Sequence, residues 1–513
     1  MNIEKPKNKG MVYLVGAGPG RADLITVRGA EVLKAADCII YDKLANPALL
    51  TYAGADAEIM HVPKRIGTGS FTQDQINKLL VEKASSGKTV VRLKGGDPCI
   101  FGRGSEEARI LAEADIDFEI VPGVTAAIAA AEYAGVMLTD RNYSSQVAFI
   151  TGHEADSKQQ SSIDWSVLAK FPGSIVFYMG MGGLQFITDQ LIKNGMDINT
   201  PAAVIADATF PNQRITTSTL GLITDKCKQE NIAPPAIVVI GAAAFSDTKL
   251  NWFMKKPLFG KSIVVTRDHH GNADFAAKII QRAGNPIEFP TIKLKPLTNT
   301  NEFLHTLEKL SKYDWIIFTS TNGVCIFFDC LRDLAKDARV FASTKIAAIG
   351  SRTANSLNDF GIKPDFVPDV FTGKELGNQL ISHANLQGKK VLLLRSQLAS
   401  VELIDLLHRA GADVDNVPIY TAVTTRSDCG PLTKQIVEGQ IDWLTFASPS
   451  AVTAFFEQIK PDLINSGNVK VASIGPVTSE QLKKIGIKID LQADEHTIDG
   501  LLDALEESEK HKT

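Results

Sequence analysis

The sequence lacks the features that point to a membrane, secreted or nucleic-acid-binding protein. No apolar run approaches the roughly 20 residues that a membrane-spanning helix requires. The first ten residues, MNIEKPKNKG, are polar and contain no apolar core of a secretion signal. The formal net charge of −4 gives no excess of cations for binding nucleic acid or an anionic membrane. We therefore expect a cytoplasmic protein with neither a membrane nor nucleic acid as its partner.

Cysteine motifs and phosphate-binding loops are also missing. The six cysteines form no CxxC pair and no zinc-ligand spacing, and the chain contains no GxxxxGK[ST] loop. Scattered thiols are typical of a reducing compartment, so we expect neither a metal nor a disulfide. A chain of 513 residues with 44% hydrophobic side chains is too long for one core, and its length predicts three or four compact units.

Two glycine-rich turns each close an apolar strand. Val12–Gly20 reads VYLVGAGPG, and Val90–Pro98 reads VVRLKGGDP. Glycines that follow a β-branched run expose backbone amides at the carboxyl edge of a sheet, where open α/β folds bind ligands. The two turns predict one ligand-binding cleft.

Short β-rich runs alternate with amphipathic segments from Met11 to about residue 245, as in α/β proteins. Thr72 and Gln75 have the spacing of a capping box, which predicts a helix that runs to about Ala84. Strands are predicted over Ile39–Tyr41, Thr89–Leu93, Phe118–Val121, Val147–Thr151 and Ile175–Tyr178. The polar stretch Ser246–Gly260 precedes a fresh strand and predicts a linker.

The carboxyl-terminal half contains an internal repeat. Val264–Arg267 (VVTR) recurs 128 residues later as Leu392–Arg395 (LLLR), and Phe318–Ser320 recurs at the same offset as Phe446–Ser448. An Ile-Gly pair at 349 recurs 125 residues later. We expect a duplicated α/β unit whose similar parts face each other across a cleft.

The first glycine turn invites comparison with the dinucleotide-binding fingerprint, since Asp42 stands near the position of a ribose-binding acid. The third glycine of that fingerprint would fall at position 21, which is Arg21, and Pro19 stiffens the turn. The second turn continues into further glycines at 102 and 104, and a pair of such loops suits a flat, neutral purine nucleoside better than a triphosphate.

Several motifs run in order through residues 11–245. They are VYLVGAGPG, YDKL at Tyr41–Leu44, VRLKGGDP, FGRG at Phe101–Gly104, VPGVTAA at Val121–Ala127, TGH at Thr151–His153, YMG at Tyr178–Gly180 and Gln213-Arg214. Through them this region resembles the uroporphyrinogen-III C-methyltransferases of the tetrapyrrole methylase family. The resemblance implies two α/β subdomains with S-adenosylmethionine folded into the cleft between them, and a homodimer formed through this domain.

The resemblance also implies site residues. Contacts to the methyl donor are implied for Pro19, Gly95, Gly96, Asp97, Ile100, Thr125, Ala126, Met179 and Ala208. Asp42 is implied as a proton acceptor and Lys64 as a donor. A base suits the chemistry, because methylation of a pyrrole carbon creates a cation that must lose a proton. An alternative role for Asp42 is a strand-end cap. The family usually has glycine at positions 63 and 208, where this chain has proline and alanine.

The acceptor implied by the resemblance carries many carboxylates, so its cleft needs cations. The candidate substrate-binding cations lie in or beside the matched motifs and are Arg28, Lys64, Arg65, Arg103, Arg141 and Arg214. Guanidinium groups pair well with carboxylates. The alternative is that these are ordinary solvated surface charges.

A second ordered set of motifs runs through residues 258–508: VVTR, FTSTNGV, IGSRT, VPIY, FASPSAV and IGPVT. This region resembles the uroporphyrinogen-III synthase family, which implies two similar α/β domains joined by a two-stranded connector. Implied cleft residues are Thr319, Ser320, Thr353, Ser448 and Thr478, and Tyr420 is implied to help a hydroxyl group leave. Serine and threonine at strand ends also serve as caps and turn formers.

The sequence as a whole predicts an α/β enzyme with a methyltransferase over residues 11–245, a linker over 246–257 and a synthase over 258–508. We expect it to cyclise hydroxymethylbilane to uroporphyrinogen III, with inversion of the last ring and loss of water. Two methylations with S-adenosylmethionine would then give precorrin-2. Two alternatives stay open: a methylase that acts on a later precorrin, and a carboxyl-terminal half that only binds a tetrapyrrole.

Overall fold

The computed structural model describes residues 10–54, 56–63, 71–153, 162–244, 249–341 and 344–510, apart from the side chains of His269 and His270. The chain divides into two compact units. One comprises Met1–Ile263, Ala276–Pro286 and Leu505–Thr513, and the other comprises Val264–Phe275 and Ile287–Ala504. Both are α/β, with four five-stranded sheets in the described ranges. In these ranges no helix is both long enough and apolar enough to cross a membrane.

The first sheet is parallel throughout and positions both glycine turns. Its strands are β1 (Met11–Gly16), β2 (Cys38–Tyr41), β3 (Glu58–His61), β4 (Val90–Lys94) and β5 (Asp117–Val121), in the order β3-β2-β4-β1-β5. Its helices are α1 (Val27–Lys34), α2 (Gln73–Ser85), α3 (Gly104–Glu113) and α4 (Ala126–Ala134). Gly16 pairs with Lys94, so the turns that follow β1 and β4 leave the same edge of the sheet.

The capping box that opens α2 is confirmed. Thr72 Oγ1 accepts a hydrogen bond of 3.2 Å from Gln75 N, and Gln75 Oε1 accepts one of 2.8 Å from Thr72 N. Two otherwise unpaired amides of the first turn are thereby satisfied. The helix ends at Ser85, one residue beyond its predicted end.

The second sheet is mixed. Its strands are β6 (Val147–Thr151), β7 (Ser174–Tyr178), β8 (Pro201–Ala206), β9 (Arg214–Thr219) and β10 (Ala236–Ile240), in the order β6-β7-β10-β8-β9. Its helices are α5 (Trp165–Leu168), α6 (Leu184–Lys193) and α7 (Ile223–Gln229). The strands β6 and β7 are parallel and the other pairs are antiparallel. The alanine-rich face of α4 packs on this sheet, so α4 connects the first subdomain to the second.

The carboxyl-terminal half builds the other two sheets. Its strands are β11 (Ser262–Val265), β12 (Asn285–Glu288), β13 (Ile292–Pro296), β14 (Trp315–Phe318), β15 (Lys345–Ala348), β16 (Lys390–Ser396), β17 (Asp413–Thr424), β18 (Trp443–Phe446), β19 (Lys470–Ser473) and β20 (Leu491–Gln492). Its helices are α8 (His269–Gln281), α9 (Asn301–Glu308), α10 (Thr321–Asp333), α11 (Ser351–Asp359), α12 (Gly373–His383), α13 (Glu402–Arg409), α14 (Cys429–Val437), α15 (Pro449–Phe456), α16 (Pro461–Asn465), α17 (Pro476–Lys484) and α18 (Ile498–Lys510).

The two sequence repeats exchange strands rather than each building one sheet. The third sheet has the order β12-β11-β18-β19-β20, and the fourth has the order β13-β17-β16-β14-β15. Each sheet therefore combines strands of both repeats. The exchange follows from the connector, since β17 pairs in parallel with β16 through Asp413–Pro418 and antiparallel with β13 through Tyr420–Thr424. The expected two-stranded connector is this β13–β17 pair.

The segment predicted as a linker is packed where the structure describes it. Phe253 is fully buried, with its ring centroid 4.8 Å from that of Tyr133. The indole nitrogen of Trp252 donates a hydrogen bond of 3.2 Å to Glu132 O. Residues 245–248 lie outside the described ranges. The domain boundaries 11–245, 246–257 and 258–508 stay predictions.

Candidate active sites

Three loops at the carboxyl edge of the first sheet approach each other backbone to backbone. Gly18 and Gly96 exchange two hydrogen bonds, of 3.2 and 2.7 Å. A Cβ on Gly16 would lie 2.5 Å from Gly123 Cα, and a Cβ on Gly123 would lie 2.4 Å from Gly96 O. Only glycine permits this approach, so the glycine turns form one continuous cradle of backbone amides and carbonyls.

Asp97 braces this cradle. Its Oδ1 accepts hydrogen bonds from Cys99 N at 2.8 Å and Ile100 N at 3.1 Å, and its Oδ2 accepts one from Gly123 N at 3.2 Å. A carboxylate has about four acceptor positions, so Asp97 keeps capacity for a further donor. The same side chain thus fixes the loop shape and presents an acceptor at the cradle.

The second sheet supplies side chains that meet the first subdomain. Thr125 Oγ1 lies 2.6 Å from Tyr178 Oη, which also accepts a hydrogen bond of 3.2 Å from Ala127 N. Burial raises the pKa of Tyr178, so the phenol is neutral. Met179 follows it and is 51% exposed. Sequence reasoning included Tyr178 in the YMG motif but did not select it as a site residue.

The turn that contains Pro19 lies against the loop that contains Ala208. A Cβ on Gly20 would lie 2.5 Å from Thr209 Oγ1 and 3.0 Å from Ala208 O. Arg21, at the position of the missing fingerprint glycine, donates its backbone N–H to Thr209 Oγ1 at 3.1 Å. The implied methyl-donor contacts therefore lie on loops that the structure brings together.

Left-handed backbone conformations concentrate around this cleft. Phe101, Arg103, Met179, Asp207 and Thr209 have φ values between 47° and 72°. Non-glycine residues in this region cost on the order of 1–3 kcal/mol each and cluster at functional sites. These left-handed conformations mark the loops around the cleft as a candidate functional site.

Asp42 lies at the end of β2 and is held by a buried charge network. Its Oδ2 accepts a hydrogen bond of 3.3 Å from Arg92 Nη2, and its Oδ1 accepts one of 3.3 Å from Leu44 N. Arg92 is fully buried and also donates to Glu107, which accepts a second bond of 2.8 Å from Lys94 Nζ. Burial by itself would raise the pKa of Glu107, but the charges of Lys94 and Arg92 lower it overall. Two cations and two carboxylates thus balance beside the cleft.

Two of the candidate substrate-binding arginines pair with neighbouring carboxylates. The guanidinium of Arg28 donates two bonds of 2.9 and 2.8 Å to Glu119. Arg103 donates two bonds of 2.9 and 2.6 Å to Glu106. Both pairs are exposed, so a carboxylate-rich substrate would have to compete for each guanidinium.

The remaining candidate cations differ in their surroundings. Arg214 donates to the carbonyl oxygens of Glu230 and Asn231, which follow α7. Arg141 is exposed in a turn. Lys64 and Arg65 lie outside the described residues.

The candidate residues of the carboxyl-terminal half lie where strands give way to helices. Thr319 and Ser320 join β14 to α10, and Ser448 joins β18 to α15. The hydroxyl of Ser320 accepts from Gly323 N at 3.0 Å, and that of Ser448 accepts from Ala451 N at 3.2 Å, so both are helix caps. Thr353 is buried in the first turn of α11, and Thr478 is buried in the first turn of α17.

Tyr420 is the side chain of β17 that meets the amino terminus of α10. Its hydroxyl lies 2.9 Å from Ser320 Oγ. Burial raises the pKa of Tyr420, and the charge of Asp268 adds to this, while hydrogen bonds to Ser320 and Ser396 oppose it. The phenol therefore keeps its proton and can donate it. Sequence reasoning missed Asp268, although it directly follows the VVTR motif.

Comparisons with known proteins match these two halves. A family model described as tetrapyrrole (corrin/porphyrin) methylases matches residues 11–224, and one described as uroporphyrinogen-III synthase HemD matches residues 273–503. The porphyrin biosynthesis protein HemD of Ruminiclostridium josui is 38% identical over 97% of this chain and 97% of its own length. The uroporphyrinogen-III C-methyltransferase of Bacillus subtilis (strain 168) is 39% identical over 69% of this chain and 74% of its own length.

Solved structures give matches to each half. A uroporphyrin-III C-methyltransferase of Thermus thermophilus, complexed with S-adenyl homocysteine, is 32% identical over 46% of this chain and 98% of its own, with a TM-score of 0.40. A mutant uroporphyrinogen III synthase of Thermus thermophilus is 19% identical over 49% of this chain and 100% of its own, with a TM-score of 0.37. On the family matches and the full-length relative, the chain belongs to the tetrapyrrole methylases through its amino-terminal half and to the uroporphyrinogen-III synthases through its carboxyl-terminal half.

Proposed function

We propose that this chain catalyses two consecutive steps of tetrapyrrole biosynthesis. The carboxyl-terminal half cyclises hydroxymethylbilane to uroporphyrinogen III with inversion of the last ring and loss of water. The amino-terminal half methylates that product twice with S-adenosylmethionine to give precorrin-2. The observation that supports the proposal is that each half brings its own candidate residues together, a glycine cradle beside Asp42 in one and the Tyr420–Ser320 pair in the other.

The cradle suits a nucleoside sulfonium ligand. Backbone atoms of Gly16, Gly96 and Gly123 lie so close together that no Cβ fits between them. Exposed apolar side chains of Ile100 and Met179 adjoin polar backbone, which suits a flat base with a polar ribose. Bound there, S-adenosylmethionine would supply an electrophilic methyl group. The implied holding residues are the nine that the sequence resemblance gives, with Asp97 as an acceptor for hydroxyl groups.

Asp42 is the proposed proton acceptor of the methylation. Carbon methylation of a pyrrole leaves a proton that must depart to restore conjugation, and a carboxylate at the cleft can take it. Arg92 and Leu44 fix both oxygens of Asp42. Because Asp42 is 19% exposed, it remains within reach of a substrate while its partners orient it. Lys64 is the proposed proton donor and lies outside the described residues.

Tyr420 is the proposed acid of the cyclisation. Its phenolic proton would pass to the departing hydroxyl of hydroxymethylbilane, so that water leaves. Ring closure releases a proton, which restores the phenol. The amino termini of α10, α11, α15 and α17, which follow β14, β15, β18 and β19, carry partial positive charge that favours carboxylates of the substrate. The enzyme would thus act mainly by positioning a flexible chain.

The test is to incubate the purified chain with hydroxymethylbilane and S-adenosylmethionine and to identify the products by mass spectrometry and isomer analysis. We expect uroporphyrinogen III without the methyl donor and a product with two added methyl groups when it is present. Uroporphyrinogen III that stays unmethylated would favour a methylase for a later precorrin. Binding of hydroxymethylbilane without cyclisation would favour a carboxyl-terminal half that only binds tetrapyrroles.

A further inference from the structure

An exposed ion pair connects helices that follow strands of the third and fourth sheets. Arg352 Nη2, in the first turn of α11, lies 3.5 Å from Asp499 Oδ2, in the first turn of α18. The helix α11 follows β15 of the fourth sheet, and α18 follows β20 of the third. The two side chains are 51% and 47% exposed. The pair therefore joins the two α/β parts of the carboxyl-terminal half at a position that solvent reaches.

Arg352 lies at the same edge of the fourth sheet as the Tyr420–Ser320 pair. Ile349 N donates a hydrogen bond of 3.0 Å to Phe318 O, so the turns that follow β14 and β15 leave the sheet side by side. The first of these turns leads to Ser320, and the second leads to Arg352. Arg352 is thus a cation on the turn next to the candidate site.

An exposed aromatic ring lies at the same helix start. A Cβ on Gly350 would lie 2.7 Å from Phe371 Cγ, so glycine at this position leaves room for the ring. The ring is 55% exposed. A guanidinium and an apolar surface therefore lie at the start of α11, which suits a pyrrole ring that carries carboxylate side chains.

Neither helix stability nor the repeated fold requires a cation at position 352. The dipole of a helix favours anions at its amino terminus, so Asp499 gains from its place in a first turn and Arg352 does not. The counterpart of Arg352 in the repeat, 125 residues later, is Val477. An exposed ion pair also contributes little to stability, because water solvates both charges.

We propose that Arg352 binds a carboxylate of the linear tetrapyrrole and that Asp499 holds its guanidinium until the substrate replaces it. The planar guanidinium suits a carboxylate, and the exchange of one carboxylate for another keeps its charge paired. This inference rests on the proposed synthase function. The competing role is a clasp, in which Arg352 and Asp499 only hold the two α/β parts together.

Full-length Arg352→Gln and Asp499→Asn variants separate the two roles, because the proposal gives them opposite effects. We expect Arg352→Gln to raise the KM for hydroxymethylbilane about fivefold or more while kcat changes less, since a charge-assisted contact made on binding is lost. Asp499→Asn should lower KM about twofold or more, since it removes the competitor for the guanidinium. The double variant should match Arg352→Gln, because Asp499 acts through Arg352.

Arg339→Gln and Asp337→Asn are the matched controls. Arg339 Nη2 lies 2.7 Å from Asp337 Oδ2 in an exposed ion pair that precedes β15, at the opposite end of the strand from Arg352. Neither control should change KM. The Tm of every single variant should stay within about 2 °C of the wild type, since exposed ion pairs contribute little to stability. A KM raised in both Arg352→Gln and Asp499→Asn would overturn the inference in favour of the clasp, and an unchanged KM of Arg352→Gln would also overturn it.

Failure of the proposed function gives a different result. A wild-type chain that does not cyclise hydroxymethylbilane would refute the synthase proposal. Calorimetry with uroporphyrin III, an octacarboxylate that does not react, would still decide the inference, because the amino-terminal half is identical in all variants. Weaker binding by Arg352→Gln and tighter binding by Asp499→Asn would support carboxylate binding by Arg352. Equal binding by the wild type and both variants would overturn it.

Discussion

Single side chains decide the charge balance of the methylase cleft. Glu107 is fully buried and accepts from both Arg92 and Lys94. Glu107→Gln would leave two buried cations with one carboxylate, and we expect it to lower the free energy of unfolding by about 3–5 kcal/mol in chemical denaturation. The neighbouring exposed Glu106→Gln is the control and should change it by less than about 1 kcal/mol. Equal effects of the two variants would contradict the network.

The same network predicts how stability depends on pH. The folded-state pKa of Glu107 is lowered, so the unfolded chain takes up its proton first as pH falls. The stabilisation from Glu107 is therefore complete above its unfolded pKa of about 4.3 and is lost as pH falls through the lower folded value. Unfolding curves measured from pH 7 downwards should fall less steeply for Glu107→Gln than for the wild type. A parallel fall would argue against an ionised Glu107.

Asp42 is testable apart from cofactor binding. We expect Asp42→Asn to reduce methyl transfer about 10²-fold or more, because an amide cannot accept the proton. Affinity for S-adenosylhomocysteine, measured by calorimetry, should stay unchanged, since the glycine cradle is intact. Asp37→Asn is the control, because Asp37 lies at the other end of β2 and binds Thr89 N. A normal rate for Asp42→Asn would leave Asp42 as a strand-end cap.

The proposed role of Tyr420 in the carboxyl-terminal half can be tested in the same way. Tyr420→Phe removes the proton donor and should lower the rate of cyclisation by about 10²–10⁴-fold. Methylation of supplied uroporphyrinogen III should continue at the wild-type rate. Tyr313→Phe is the control. Tyr313 precedes β14, whereas Ser320 follows it, and the Tyr313 hydroxyl donates a hydrogen bond to Asp415. Isomer analysis of the products provides the measurement, and undiminished formation of the type III isomer would exclude Tyr420 as the acid.

The sequence motifs contain Asp42 and Tyr420, but they do not show which charged residues surround these two side chains. Arg92 stands in the middle of the strand motif VVRLK, between apolar residues. Whether such an arginine is solvated, paired or buried alone depends on strands far away in the chain. Asp268 likewise affects Tyr420 from a distant part of the sequence. A single sequence contains no signal for these electrostatic partners.

At the level of elements, the close approach of the glycine loops can be tested by a single substitution. A Cβ on Gly123 would lie 2.4 Å from Gly96 O, so Gly123→Ala must push the two loops apart. We expect S-adenosylhomocysteine binding to weaken at least tenfold by calorimetry, with the global fold retained by circular dichroism. Gly54→Ala is the control, because its Cβ would meet only Lys34 O at 3.7 Å. Unchanged binding by Gly123→Ala would show that the close approach does not shape the site.

Local patterns predicted the elements well and their partners poorly. The five strands predicted in the amino-terminal half begin and end within one residue of β2, β4, β5, β6 and β7. Their apolar runs and bounding turns are local signals. The two-stranded connector of the carboxyl-terminal half was implied by the family resemblance and not by local patterns, because the two repeats share one pattern and either copy could supply a given strand. In the structure, the long strand β17 pairs with both β13 and β16, and so joins strands of the two copies in one sheet.

For the whole molecule, the exchange implies that the sequence repeats are not folding units. Each of the last two sheets needs strands from both copies. We expect a fragment of residues 258–385 to lack cooperative thermal unfolding, whereas a fragment of residues 258–510 should unfold cooperatively. Circular dichroism during heating provides the measurement. A cooperative transition in the shorter fragment would contradict the exchanged arrangement.

The helix α4 has a consequence for ligand affinity. It follows the first sheet, rests on the second through side chains no larger than a methyl group, and begins beside the Thr125–Tyr178 hydrogen bond. Alanine side chains have almost no rotamer freedom to lose when a ligand binds. We therefore expect α4 to consume little of the binding free energy in ordering when the proposed methyl donor binds.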